Sequence, residues 1–196
     1  MEFKPFPNMA RLTREVIITE KLDGTNASVF IEPGYAEDPN VLHAWFDVDT
    51  ATDMVMYAGS RTRWITPQND NYGFAAWVVA NAECLRDLGQ GHHFGEWWGC
   101  GIQRRYDMPE KLFSLFNVSR WGTENLPSCC AVVPTLYRGL FDGDCVQKAL
   151  DVLRVGGSVA APGFKDPEGV VVYHVAAGVG FKKTIKHDEQ PKGAVR

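Results

Sequence analysis

Apolar and polar positions alternate along the chain with two periods. Residues 16–20 (VIITE), 26–32 (NASVFIE) and 41–48 (VLHAWFDV) are rich in β-branched and aromatic side chains and predict strands. Residues 92–98, 112–118, 129–137 and 169–175 have the same character and predict four more. The stretch EPGYAEDPN, with its glycine and two prolines, reads as a loop. Two segments follow the helical period instead. In residues 74–88 the apolar side chains Phe74, Trp77, Val78, Ala82, Leu85 and Leu88 form one stripe, ended by Gly89. Residues 144–157 predict a second helix, with Asp144 as N-cap and Gly156–Gly157 closing it. Many strands and few helices, without regular βαβ alternation, point to an α+β fold built on antiparallel sheet.

At 196 residues, with no internal repeat or linker, the chain is expected to form a single domain. Apolar residues make up 45% and charged residues 22%, the mixture of a soluble globular protein. The net charge of −4 rules out a surface that is basic throughout, so a nucleic-acid partner requires a local patch. Residues 181–196 offer one: Lys182, Lys183, Lys186, Lys192 and Arg196 against Asp188 and Glu189, a net of +3. Arg104, Arg105 and Lys111 form another. The N-terminus lacks the apolar core of a signal peptide, and no run approaches the roughly 20 apolar residues of a membrane span, so no membrane partner is expected. The five cysteines are odd in number and form no C-x-x-C pair, which suits a reduced, cytoplasmic chain.

The stretch EKLDGTNASVF interrupts the apolar pattern. Lys21 ends one predicted strand and Gly24 permits a close backbone approach before the next begins. A lysine at such a strand end can serve as an amine nucleophile, although Lys, Asp and Gly also suit a plain exposed turn. Further along, HFGEWWGCGIQRRYD places Glu96 between a glycine and two tryptophans. Glu168 heads an apolar strand, and Lys182 and Lys183 close another apolar run. One nucleophile, two carboxylates and paired cations are the parts nucleotidyl transfer needs, because phosphate charge must be held while phosphorus is attacked. His92 and His93 near Cys100 lack a second ligand pair at zinc spacing.

In this order, the segments resemble the covalent nucleotidyltransferases: ATP-dependent DNA and RNA ligases and mRNA capping enzymes. Lys21-Leu22-Asp23-Gly24 is similar to their nucleophile motif, and the continuation Thr25-Asn26 resembles the RNA-ligase branch. Phe94-Gly95-Glu96, with Gly99-Cys100-Gly101-Ile102-Gln103 after it, resembles the third motif, and residues 112–118 resemble the segment that stacks on the purine through Phe116. Glu168-Gly169-Val170-Val171 resembles the fourth motif and FKKTIK the fifth, although Lys182 and Lys183 are adjacent where the family spaces its lysines by one residue.

The resemblance implies an ATP-grasp-like ligase adenylation domain that uses ATP and Mg²⁺ or Mn²⁺. Lys21 would form a lysyl-N–AMP, and Lys182 and Lys183 would neutralise the α-phosphate. Glu20 would read the adenine edge, Glu96 would hold the ribose or a metal, and Glu168 would organise the metal. Arg61 would grip ribose or phosphate, and Asn26 would act in strand joining. Implied partners are ATP and RNA or nicked duplex ends, acted on by a monomer, with no separate C-terminal domain. A small DNA ligase, a GTP-using capping-type guanylyltransferase and a non-catalytic nucleotide-binding module share many of these residues.

Overall fold

The computed structural model describes residues 2–122 and 124–189. In chain order its first elements are β1 (Glu15–Lys21), β2 (Thr25–Pro33), β3 (His43–Asp47), β4 (Thr52–Ser60), β5 (Trp64–Ile65), α1 (Phe74–Ala80) and α2 (Ala82–Leu85). They are followed by β6 (Gly91–Gly99), β7 (Lys111–Leu115), β8 (Ala131–Val132), β9 (Thr135–Leu140), α3 (Cys145–Gly156), β10 (Gly169–His174) and β11 (Val179–Thr184). The chain divides into two compact units, Met1–Lys21 with Pro134–Arg196, and Leu22–Val133.

The first unit is a sheet in the order β11-β10-β1-β9, antiparallel throughout. Its core lies on one face. Val16 and Ile18 of β1 and Val170 and Val172 of β10 pack against Cys145, Ala149, Leu150 and Leu153, the apolar stripe of α3. The second unit is a sheet in the order β3-β4-β2-β6-β7-β8, with β5 beside β4. All its pairs are antiparallel except β7 with β8. Ala27, Val29 and Ile31, alternate residues of β2, turn inward to Phe74, Val78 and Leu85 from the helical segment. Among the described residues no helix is long and apolar enough to cross a membrane.

The α+β class with antiparallel sheets follows the periodicity, and several boundaries depart from it. The single helix expected over 74–88 breaks at Asn81 (φ −113°, ψ 15°) into α1, α2 and a 3₁₀ turn over Arg86–Leu88. The Asn81 side chain donates back to the Trp77 carbonyl at 2.8 Å, the local bond that makes asparagine a poor helix-interior residue. The strand expected over 129–137 is two strands, β8 and β9, in different sheets on either side of Pro134, which has no N–H for a ladder. Strand β7 stops at Leu115, short of the expected 118. Asp144 is the N-cap residue of α3, as expected, but its side chain makes no capping bond; Asp142 Oδ1 instead accepts from the N–H groups of Asp144 (2.8 Å) and Cys145 (2.6 Å). Gly157 (φ +88°) closes α3 as expected. Strand β4 carries no clean alternation in TDMVMYAGS, because Met54 through Gly59 are all buried.

Leu150 is fully buried in the α3 stripe, whereas Val155 on the same helix is 84% exposed. Leu150→Ala should destabilise the protein by about 2–5 kcal/mol in chemical denaturation. Val155→Ala should change it by less than about 0.5 kcal/mol.

Candidate active site

In the first unit, Lys21 and Glu168 lie at the ends of neighbouring strands, because Lys21 pairs with Gly169 in the β1–β10 register. The Lys21 Nζ meets Glu168 Oε2 at 2.5 Å, with the two side chains 19% and 9% exposed. Gly169 is required between them. A Cβ there would strike the Lys183 carbonyl and approach Thr184 Cα to 2.7 Å, pushing β11 off the sheet.

Strand register also sorts the two adjacent lysines. Residue 182 pairs with Val171, which pairs with Thr19, whereas residue 183 pairs with Val170, which pairs with Glu20. Paired residues share a face and successive residues alternate. Lys182 therefore stands on the face of Thr19 and Lys21. Lys183 stands on the face of Val170 and the α3 core, and its Nζ meets Asp188 at 3.2 Å.

Glu20 is 1% exposed on that same core face. Its Oε2 accepts from the N–H groups of Val159 (2.8 Å) and Ala160 (2.9 Å). Its Oε1 is buried without a partner among the described residues, a costly state for a carboxylate oxygen.

In the second unit, Glu96 sits at mid-sheet in β6 and is only 8% exposed, which excludes a solvated strand edge. Its Oε1 accepts from the Gly24 N–H at 3.0 Å and its Oε2 lies 3.4 Å from Asn26 Nδ2. A Cβ on Gly24 would meet the Trp97 carbonyl and come within 2.7 Å of Trp98 Cβ and 3.0 Å of Glu96 Cγ. Close approach to β6 thus dictates this glycine. Asp23 is held on both sides: its N–H donates to the Tyr106 hydroxyl (2.8 Å), and its Oδ2 accepts from Arg104 Nε (3.0 Å). Tyr106 reaches that position from a loop in which Gln103, Arg105, Tyr106 and Asp107 all have positive φ, between 44° and 60°. Non-glycine residues rarely hold such angles without surrounding support.

Asn26, Ser28, Ser60, Arg61, Phe94 and Phe116 line a pocket of about 220 Å³ in this unit. Phe116, expected to stack on a purine, is 40% exposed there, and Phe94 is 55% exposed. Arg61 is exposed at the same pocket. Trp97 and Trp98, at 2% and 1% exposure, are core.

The structure thus groups Glu20, Lys21, Glu168 and Lys182 in the first unit, and Asn26, Arg61, Glu96 and Phe116 in the second. The two basic clusters read from the sequence are partly neutralised. Lys186 meets Asp166 (2.7 Å), Arg104 meets Asp23 (3.0 Å), and Lys111 donates to the Tyr72 carbonyl (2.7 Å). Lys192 and Arg196 lie outside the described residues. Tyr106 and Arg104, which fix Asp23, were missed as positioning residues. The only sequence signal was the Gly-rich GCGIQ turn just before them.

Comparison with the curated proteins gives no match. Among solved structures the chain is similar to Naegleria gruberi RNA ligase in several forms. A lysine-to-alanine mutant with ATP and Mn matches at 19% identity and TM-score 0.56, over 88% of this chain and 50% of that one. A glutamate-to-alanine mutant with AMP and Mn matches at 18% and 0.56, over 87% and 49%. An apo aspartate-to-alanine mutant matches at 17% and 0.54, over 91% and 53%. This chain therefore spans about half the length of those proteins, and at such identity the likeness is one of fold. The family model for RNA ligase matches residues 14–187, which hold Lys21, Glu96, Glu168 and Lys182 alike, and the chain accordingly belongs to the RNA ligase family.

Proposed function

We propose that the chain is the adenylyltransferase of an ATP-dependent RNA ligase, working as a single nucleotidyltransferase domain and as a cytoplasmic monomer. The observation that carries this reading is Lys21 against Glu168 with Lys182 on the same sheet face. Lys21 Nζ attacks the α-phosphorus of ATP. A P–N bond forms, the bond to pyrophosphate breaks, and the amine loses a proton, for which Glu168 Oε2 is the nearest acceptor in the unit. Lys182 faces the same side and neutralises charge on the α-phosphate. The AMP then passes to a 5′-phosphate on an RNA end as a 5′–5′ anhydride, and a 3′-hydroxyl displaces it to form the phosphodiester.

The groups present fit a divalent cation at Glu168. Mg²⁺ is commonly held by one or two carboxylates together with substrate phosphates, and Glu168 supplies one such oxygen ligand. Bound there, Mg²⁺ or Mn²⁺ would supply Lewis-acid charge at the phosphates. Glu96 fits a ribose or positioning role better than a metal one, since its two oxygens already face Gly24 and Asn26. Phe116 and Arg61, at one pocket, suit a base and a ribose or phosphate, and Asn26 beside them suits the joining steps.

The unpartnered Glu20 Oε1 favours ATP over GTP. A lone buried acceptor matches the exocyclic amine of adenine, whereas the carbonyl oxygen at the corresponding position of guanine would face it with like charge. A DNA substrate remains the nearest alternative within the chemistry, and membership of the RNA ligase family weighs toward RNA. An intact Lys21–Glu168 pair is more than a purely binding module requires.

Labelled ATP with Mg²⁺ should leave AMP on the wild-type protein after denaturing electrophoresis, and labelled GTP should not. Lys21→Ala should abolish that label while still folding, with a lowered unfolding temperature because the buried Glu168 carboxylate loses its partner. A labelled Lys21→Ala protein would remove the nucleophile assignment.

The lysine pair gives an independent check. Lys182→Ala should slow label uptake about 10²- to 10³-fold, the effect of removing one preorganised charge partner. Lys183→Ala, facing the α3 core, should cost less than about a tenth of that factor. The reverse order in single-turnover rates would contradict the register argument.

A further inference from the structure

One face of the second unit's sheet bears a strip of aromatic rings that meets the pocket at Phe94 and otherwise has no place in the adenylylation chemistry. Phe30 of β2 pairs with His92 of β6 and with Tyr57 of β4. Trp64 of β5 stacks on Phe30, with ring centroids 5.8 Å apart and planes at 19°. His92 packs on Phe30 (5.2 Å) and on Phe94 (3.9 Å), and its Nε2 lies 2.9 Å from Ser28 Oγ, which fixes the ring. The strip is open to solvent where it counts: Trp64 is 38% exposed, Phe94 is 55% exposed, and His92 is exposed. Gly59 makes room for it, since a Cβ there would sit 3.3 Å from the Trp64 ring.

Three observations identify an occupant. First, the strip is continuous with the pocket, because Phe94 lines both. Secondly, charge is graded along it. Arg61 stands at the pocket end, while burial and the Asp38 and Glu32 carboxylates push the Tyr57 phenol up at the other end. A polyanion is therefore tolerated near the pocket and repelled beyond Tyr57, so the footprint is short. Thirdly, His92 and Phe94 are successive outward residues of β6, about 7 Å apart along the strand, with Trp64 beside them across Phe30, room for the two or three bases that exposed sheets stack.

We propose that Phe94, His92 and Trp64 form a stacking platform for the unpaired terminal nucleotides of the RNA being joined. This rests on the RNA-ligase reading for the identity of the strand, and on the aromatic geometry for the site itself. Stacking on rings needs bases freed from a duplex, so the platform takes single-stranded ends beside the pocket.

The test measures binding of a fluorescently labelled short oligouridylate, and of a blunt RNA duplex, to the full chain. Trp64→Ala and His92→Ala should each weaken oligouridylate binding by about 5- to 150-fold, the range for loss of one stacked base. Trp64→Phe, which keeps a ring, should restore most of it. Duplex binding and AMP uptake from ATP should be unchanged in all three. Because His92 is exposed, its variant carries the test if Trp64→Ala unfolds. Equal oligouridylate affinity in wild type and His92→Ala would overturn the proposal. So would equal losses for strand and duplex, or a wild type that binds no oligouridylate and instead self-associates through this face. A wild type that takes no AMP yet binds oligouridylate through Trp64 and His92 would sink the ligase reading and leave the platform standing.

Discussion

Lys21, Lys182, Asn26 and Glu96 are aimed by the pleat of strands whose opposite face is committed to a core. In the first unit Val16, Ile18, Val170 and Val172 must face α3, and the period of two then turns Thr19, Lys21 and Lys182 to the other side. In the second, Ala27, Val29 and Ile31 face the helical segment, which turns Asn26, Ser28 and Phe30 outward. A slip of one residue in either register would send the nucleophile or the aromatic strip into the core. Hydrophobic burial is thus what orients the polar chemistry.

The same constraint explains the spacing in Lys21-Leu22-Asp23-Gly24. Lys21 ends β1, and β2 belongs to a different sheet, so three residues must carry the chain between them without becoming a hairpin. Each has a fixed job. Leu22 is 4% exposed, Asp23 is pinned by Tyr106 and Arg104, and Gly24 lies too close to β6 for any side chain. The left-handed residues Gln103, Arg105, Tyr106 and Asp107 are the strained counterpart, held because Tyr106 is 1% exposed and packs edge-on against Trp98.

Much of this was legible in the sequence, and what was hidden has physical causes. Strands with one buried face, such as β2, show their alternation; β4, buried along both faces, gives a continuous apolar run that periodicity does not resolve. Proline at 134 was visible, yet only the three-dimensional path shows that it separates two sheets. Glu96 and Glu168 stood out because charges beside glycine in apolar runs are unusual, and Lys21 because it closes an apolar strand three residues before Gly24. The choice between Lys182 and Lys183 did not, since neighbouring lysines are equivalent until a register assigns their faces. Tyr106 was hidden for a similar reason: its bond to Asp23 spans 83 residues of chain.

Charge placement bears on how an acidic protein could engage RNA. The clusters that look basic in the sequence are largely spent on internal partners, Lys183 on Asp188, Lys186 on Asp166 and Arg104 on Asp23. Nonspecific affinity for nucleic acid comes chiefly from counterion release, which needs many free cations along the backbone. In each unit taken by itself, the paired cations leave little for long-range attraction. Under the proposed function, recognition then rests on short-range contacts within each unit: phosphate at Lys182 in the first and unstacked bases on the sheet in the second. Such contacts favour an end whose bases are free to unstack over the paired interior of a duplex.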